Sequence, residues 1–106
     1  MELNELERLK KYVDEGDLIE IAEEIGDKIT FRGYSQEQII CLATALVEIN
    51  LLPLNYETKE QILNVLCHAT AYYDIRNKIC WKSIIDIKDK LEEALKEYVE
   101  ELISKE

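Results

Sequence analysis

The stretch SQEQIICLATALV, residues 35–47, decides the fold. Ser35 followed by Gln38 is the capping-box signature of a helix start. Apolar side chains also lie outside the main stripe of this segment, so we predict a helix that is hydrophobic around most of its circumference and therefore central. We expect it to end at Pro53, because the residue before a proline avoids the α region. The stripe itself recurs at three- and four-residue spacing and comprises Ile39, Leu42, Ala43, Leu46 and Val47.

Helical spacing continues toward the N-terminus. Residues 2–14 predict a first amphipathic helix, and Gly16 suits its end. Asp17 with Glu20 predicts the capping box of a second helix, which a linker at residues 31–34 follows. The predicted buried stripes are Leu3, Leu6, Leu9 and Val13 in the first helix and Leu18, Ala22, Ile25 and Ile29 in the second.

The C-terminal half has the same character. Thr58 with Gln61 gives a third capping box, and its helix is predicted to run to about residue 73. Residues 74–78 predict a polar connector. The segment from 81 to 103 is either a short helix followed by a long one or a single long helix. The sequence thus predicts a single all-α domain of five or six antiparallel helices, arranged as a compact bundle or a short helical-repeat stack.

The composition restricts the partners. The chain of 106 residues holds 23 Asp or Glu and 13 Lys or Arg, a formal net charge of −10. Nucleic acids and anionic membrane surfaces need a basic stripe, so neither is expected as a direct partner. No run approaches the roughly 18 apolar residues of a membrane helix. The N-terminus is acidic where a targeting signal is basic, so we expect a cytoplasmic protein.

Residues with chemical potential are sparse. His68 directly follows Cys67, but adjacent residues on a helix point about 100° apart and do not readily form a nucleophile–base pair. The three cysteines and one histidine lack the close-spaced pairs of a zinc site. We therefore predict no catalytic residue, no metal and no cofactor. A small enzyme using His68 or a cysteine is kept as a third hypothesis.

The distribution of charge indicates a candidate surface. Residues 1–30 carry a net charge of −6, residues 31–80 carry −1 and residues 81–106 carry −3. Like charges at helical spacing repel, so their grouping favours a selected negative surface, although solubility alone also explains it. Tyrosines beside the connector are of a type common in interface hot spots. The predicted partner-binding residues are Glu20, Glu23, Glu24, Asp27, Tyr72, Tyr73, Glu93 and Glu97.

The C-terminal third carries a family resemblance. Trp81-Lys-Ser-Ile-Ile, a charged break, and then Leu91-Glu-Glu-Ala-Leu-Lys-Glu-Tyr-Val-Glu-Glu-Leu-Ile resembles the last helix pair of small HEAT-like immunity proteins. Those proteins neutralise toxins that are used in bacterial competition. The resemblance implies a non-catalytic inhibitor that is held in the cytosol and caps a cationic toxin domain. It assigns no toxin-contact residue by position.

Two functional hypotheses of different classes follow. The first is a protein-binding inhibitor, of immunity or antitoxin type, whose acidic helical surface occupies the basic cleft of a toxin such as a nuclease. The alternative is a small helical adaptor or oligomerisation module, with Ile40, Ile49 and the Tyr72–Tyr73 pair forming an apolar self-interface. We expect a monomer or a weak homodimer.

Overall fold

A computed structural model describes residues 3–103, and these residues form six α-helices, two short 3₁₀ turns and no strand. The all-α class predicted from the sequence is confirmed. No helix within residues 3–103 is long and apolar enough to cross a membrane. The helices are α1 (Asn4–Lys10), α2 (Glu15–Thr30), α3 (Gln36–Val47), α4 (Tyr56–Tyr72), α5 (Lys82–Ile87) and α6 (Glu93–Ile103), with 3₁₀ turns at Arg76–Lys78 and Lys88–Lys90.

Consecutive helices form antiparallel hairpins. In the first hairpin, the start of α1 meets the end of α2, where Lys28 Nζ lies 2.7 Å from Glu5 Oε2. In the second, Gln36 at the start of α3 donates a 2.9 Å hydrogen bond to the carbonyl of Asp74, just past the end of α4. In the third, Ile85 of α5 shares a groove with the last residues of α6. The chain is therefore three stacked hairpins.

The second helices of the hairpins lie side by side and run in the same direction. Near the starts of α2 and α4, Thr58 Oγ1 donates a 2.6 Å hydrogen bond to Glu15 Oε1. Near the starts of α4 and α6, Lys59 Nζ lies 3.1 Å from Glu92 Oε1. We call this sheet of helices the α2–α4–α6 layer, and α1 and α3 contact each other outside it. The molecule measures 36 × 35 × 20 Å, so its thin dimension is about two helix diameters.

The central helix is α4 rather than α3, which corrects the expectation from the sequence. Helix α4 packs against α2, α3 and α6, and it buries Ile62, Leu63 and Leu66 completely. Helix α3 lies in the outer layer, so Ile40 and Cys41 stay partly exposed. A helix such as α3, which is apolar around most of its circumference, can thus lie in an outer layer when one of its apolar faces is only partly covered by other helices.

The first helix boundary differs from the prediction. Helix α1 ends at Lys10, and Val13 is 87% exposed instead of buried. Asp14, not Asp17, caps α2, because its carboxylate accepts a 2.9 Å hydrogen bond from the Asp17 N–H. Gly16 lies inside the first turn of α2. The predicted helix start at residue 2 lies outside the described residues.

The other helix ends give a mixed result. The capping box of Ser35 and Gln38 is confirmed, with hydrogen bonds of 3.1 and 2.9 Å. Thr58 does not cap α4, which begins earlier, after Asn55; its hydroxyl instead binds Glu15. Helix α3 stops at Val47, well before Pro53. Between 81 and 103 the chain takes the first of the two open alternatives, a short helix followed by a longer one.

Candidate functional site

A polar groove separates α2 from α4 on the outer side of the α2–α4–α6 layer. The apolar stripe of α2 faces the core, which leaves Glu23 and Asp27 one turn apart on the opposite edge. Gly26 lies close to α4 here, since a Cβ at this position would contact Val65 Cγ2 at 3.6 Å. The groove holds about 280 Å³ and is lined by Glu23, Gly26, Asp27 and Thr30 from α2 and Gln61, Asn64, Val65 and His68 from α4.

A second groove runs between α4 and α6 on the same layer and is more acidic. Glu60 from α4 faces Glu97 and Glu101 from α6 across about 330 Å³, with Ala94 beside them. The Tyr98 hydroxyl donates a 3.2 Å hydrogen bond to Glu60 Oε2. Burial and the neighbouring Glu60 carboxylate raise the pKa of Tyr98. The tyrosine therefore stays protonated and serves Glu60 as a donor.

The lysines of this layer do not neutralise these carboxylates. Helices α2, α4 and α6 contain three lysines, Lys28, Lys59 and Lys96. Lys28 pairs with Glu5 of α1, on the other side of α2. Lys59 is 6% exposed and pairs with Glu92, while Lys96 pairs with Glu93 on its own helix. Each lysine is thus bound to a carboxylate outside the two grooves.

Five carboxylates therefore line the two grooves of the α2–α4–α6 layer: Glu23, Asp27, Glu60, Glu97 and Glu101. Within residues 3–103 no cation lies within 4.0 Å of them or of Glu20 on the exposed side of α2. A surface of one sign attracts a partner of the opposite sign before contact. We define the acidic face as Glu20, Glu23, Asp27, Glu60, Glu97 and Glu101, of which Glu60 is half-buried and the others are exposed.

Two of the predicted acidic site residues have cation partners. Glu24 Oε1 lies 2.6 Å from Arg8 Nη1, which ties α2 to α1. Glu93 Oε2 lies 3.1 Å from Lys96 Nζ one turn along α6, although the Glu93 side chain is 90% exposed. Glu20, Glu23, Asp27 and Glu97 are the predicted acids that join the acidic face.

The two predicted tyrosines take different places. The Tyr73 hydroxyl donates to the Tyr34 carbonyl at 3.0 Å and accepts from the Tyr34 N–H at 3.2 Å, so it fastens the α2–α3 linker. The half-buried Tyr72 ring lies under the Arg32 guanidinium, with the centroid 5.7 Å from Cζ. Ile40 and Ile49, the other members of the hypothetical self-interface, are packed against the core and only partly exposed.

Cys67 and His68 point toward different neighbours of α4. His68 is exposed in the α2–α4 groove, and within residues 3–103 no hydrogen bond joins it to a thiol or carboxylate. Cys67 is buried toward α6, its Sγ 3.7 Å from the Tyr98 carbonyl, and burial raises its pKa to about 12. In the described part of the chain no three His, Cys, Asp or Glu residues are grouped to hold a metal ion. The two side chains thus provide no activated nucleophile–base pair.

Sequence reasoning missed two members of the acidic face and a region of opposite charge. Glu60 and Glu101 are 41 residues apart in the sequence, so their approach depends on the stacking of α4 against α6. Residues 76–90 contain five Lys or Arg and two Asp, an excess of bases in a chain of net charge −10. Two of these bases pair with carboxylates: Lys82 with Asp86 at 3.0 Å, and Lys88 with Glu100 of α6 at 3.2 Å. The basic region is therefore partly neutralised by its neighbours.

Comparison with known proteins adds no family. No protein-family model, no curated protein and no solved structure matches the chain.

Proposed function

We propose that this chain is a cytoplasmic, non-catalytic inhibitor of immunity or antitoxin type that binds a basic protein, such as a toxin nuclease domain. The observation that carries the proposal is the acidic face: six carboxylates with no cation within 4.0 Å among residues 3–103, on a layer whose lysines all pair with other carboxylates. A basic cleft that binds nucleic acid has the complementary charge.

The stacking of the helices supports a binding role over a role in solubility alone. Charges that serve solubility do not need to share one side of the molecule. Here five of them line two neighbouring grooves of the α2–α4–α6 layer. A surface of one charge sign can raise the rate of association with a partner of the opposite sign about tenfold or more. An inhibitor that must act before its target causes damage benefits from fast association.

A charge-reversal variant tests the proposal. Glu23→Lys, Asp27→Lys and Glu97→Lys together reverse the centre of the acidic face. Glu24 is left unchanged, because a lysine there would face Arg8 and weaken the docking of α1.

The matched control makes the same change of net charge outside the layer. Glu7, Glu37 and Glu48 are exposed, lie on α1 and α3 or next to α3, and have no ion pair within residues 3–103. All three are replaced by lysine in this variant. Both variants are immobilised and exposed to a lysate of the host cells at low and high salt, and the bound proteins are identified by mass spectrometry.

We expect the wild type and the control to retain the same basic protein at low salt, and the acidic-face variant to lose it. High salt should release it from the wild type, because screening shortens the reach of surface charge to about 3 Å at 1 M salt. Equal retention by the two variants would remove the acidic face from the interface. A retained protein that is itself acidic would contradict the proposed partner.

A further inference from the structure

The turn that ends α2 presents an aromatic side chain to solvent. Phe31 follows Thr30, the last residue of α2 and a lining residue of the α2–α4 groove. Its side chain is 83% exposed, although it is the single phenylalanine of the chain and belongs to a residue type that is usually buried. One exposed apolar residue needs no special explanation. The geometry of the turn around Phe31 distinguishes it.

The backbone of this turn is fixed by hydrogen bonds. The Arg32 N–H donates to the Ile29 carbonyl at 2.9 Å, and the Gly33 N–H donates to the Lys28 carbonyl at 2.8 Å. These two bonds are those of a Schellman motif, in which the residue after the C-cap adopts a left-handed conformation. Here that residue is Arg32, with φ of 53°, and no other non-glycine residue within 3–103 has a positive φ. The backbone at Phe31 is thus fixed by a turn that contains an arginine in the left-handed conformation.

The Arg32 side chain explains why an arginine rather than a glycine occupies this left-handed position. Its guanidinium stacks over the Tyr72 ring at 5.7 Å, and the Tyr72 ring meets His68 edge-on with centroids 6.3 Å apart. A glycine would satisfy the left-handed backbone without strain but would supply no such stack. Arg32 therefore links the turn that contains Phe31 to the end of α4.

We propose that Phe31 is the apolar anchor of the acidic face: it inserts into an apolar pocket of the basic partner, next to the cations that bind Glu23 and Asp27. This inference rests on the proposed function and names a second feature of the partner, an apolar pocket bordered by a basic surface. Asp27 lies in the last turn of α2 and Phe31 is the C-cap of that helix, so the two residues are four apart and lie close together. Thr30, which precedes Phe31, lines the same groove as Asp27, so the anchor is next to the charge.

The preorganised turn makes this anchor effective. A turn whose backbone is already fixed loses little backbone freedom on binding, so only the rotamers of the phenylalanine remain to be ordered. Interfaces concentrate their binding energy in a few such residues, surrounded by contacts of small individual effect. Transferring an exposed phenylalanine into an apolar pocket corresponds to a change in affinity of about 10- to 100-fold.

Site-specific photocrosslinking tests the anchor separately from the charge. p-Benzoylphenylalanine is placed at position 31, at position 23 in the acidic face, or at position 13 as a control. Val13 is 87% exposed, similar to Phe31, and lies in the α1–α2 connection outside the acidic face. Each full-length protein is irradiated in a lysate of the host cells, and the adducts are identified. The crosslinked partner is then purified and titrated with the wild type, Phe31→Ala and Val13→Ala.

We expect the same basic protein to crosslink at 31 and 23 and not at 13, with Phe31→Ala weakening Kd about 10- to 100-fold and Val13→Ala leaving it unchanged. An adduct at 23 without one at 31, or an unchanged Kd for Phe31→Ala, overturns the anchor and leaves the proposed function standing. An adduct at 31 alone contradicts the acidic face, and with it the partner chemistry proposed here. Absence of adducts at both positions overturns both.

Discussion

Replacing Glu5 by alanine should destabilise the protein more than replacing any other single acidic residue. The Glu5 side chain is 4% exposed, the Tyr34 hydroxyl donates a 2.8 Å hydrogen bond to Oε2, and Lys28 Nζ lies 2.7 Å from the same atom. Tyr34 is in turn bound through its backbone by the Tyr73 hydroxyl. One carboxylate therefore connects α1, α2, the α2–α3 linker and the end of α4.

The magnitude follows from what Glu5→Ala leaves behind. The hydrogen bond to a charged acceptor contributes about 1.5–3 kcal/mol, and the buried Tyr34 hydroxyl loses its partner. Lys28 is more than half exposed, so its share is about 0–1 kcal/mol. Removing a buried carboxylate also relieves its desolvation, which offsets part of the loss. We expect a net decrease in the free energy of unfolding of about 2–3 kcal/mol.

Urea denaturation followed by circular dichroism measures this loss, and Glu7→Ala on the exposed side of α1 is the matched control. The double variant Glu5→Leu with Tyr34→Phe removes both polar groups and should lose less than the two single variants together. A loss below about 0.5 kcal/mol for Glu5→Ala, the typical effect of a surface substitution, would refute the reasoning.

The contacts of Glu5 with Lys28 and Tyr34 also make the free energy of unfolding depend on pH in a predictable direction. Burial alone raises the pKa of Glu5, but hydrogen bonds from Lys28, the backbone and Tyr34 outweigh it and hold the pKa below its ordinary value. Because the Glu5 pKa is lower in the folded state than in the unfolded state, the ionised carboxylate stabilises the protein at pH values above the ordinary pKa of 4.5. This stabilisation is lost as the pH falls through the lowered pKa. Glu5→Gln should therefore lose less stability than the wild type on acidification.

Three further predictions concern single contacts. Thr58→Val should raise the pKa of Glu15 toward its ordinary value, because the hydrogen bond from the Thr58 hydroxyl lowers that pKa most, followed by the one from the Asn55 N–H. Carbon-detected NMR titration measures the pKa, and an unchanged value contradicts the prediction. Arg32→Gly should be more stable than Arg32→Ala by about 1 kcal/mol in thermal unfolding, since both lose the stack on Tyr72 but only alanine keeps the backbone strain; equal stability would show that the turn is unstrained. Iodoacetamide at neutral pH should alkylate the exposed Cys80 and spare Cys67, whose buried thiol has a pKa of about 12; mass spectrometry that finds both modified at similar rates would contradict that burial.

The helices could be predicted from the sequence because their signals are local. Apolar spacing of three and four residues identified the stripes of α2 and α3, and the Ser35–Gln38 capping box predicted the start of α3. Val13 continued the apolar spacing of the first helix, yet it is exposed, because the Asp14 carboxylate caps α2 immediately after it. Where two local signals compete, spacing alone does not identify the one that prevails.

The arrangement of the charges could not be predicted, because it depends on contacts between distant segments. Glu5 and Lys59 resemble solvated surface residues in the sequence, but both are buried by packing between helices. The pairing of Glu24 with Arg8 likewise follows from the α1–α2 hairpin. Glu60 joins the acidic face only because α6 packs beside α4. Half of the residues of the acidic face lie within residues 1–30, and the stacking of the hairpins brings the other half beside them.

The central claim is that the acidic face steers a basic protein into contact, and the association rate constant tests it most directly. Stopped-flow mixing of the purified partner with the wild type, with the Glu23→Lys, Asp27→Lys and Glu97→Lys variant, and with the Glu7→Lys, Glu37→Lys and Glu48→Lys control is repeated at increasing salt. We predict that the wild type and the control associate about tenfold or more faster at low salt than at high salt. The acidic-face variant should associate slowly at every salt concentration. Two variants with equal rates and equal salt dependence would contradict the claim.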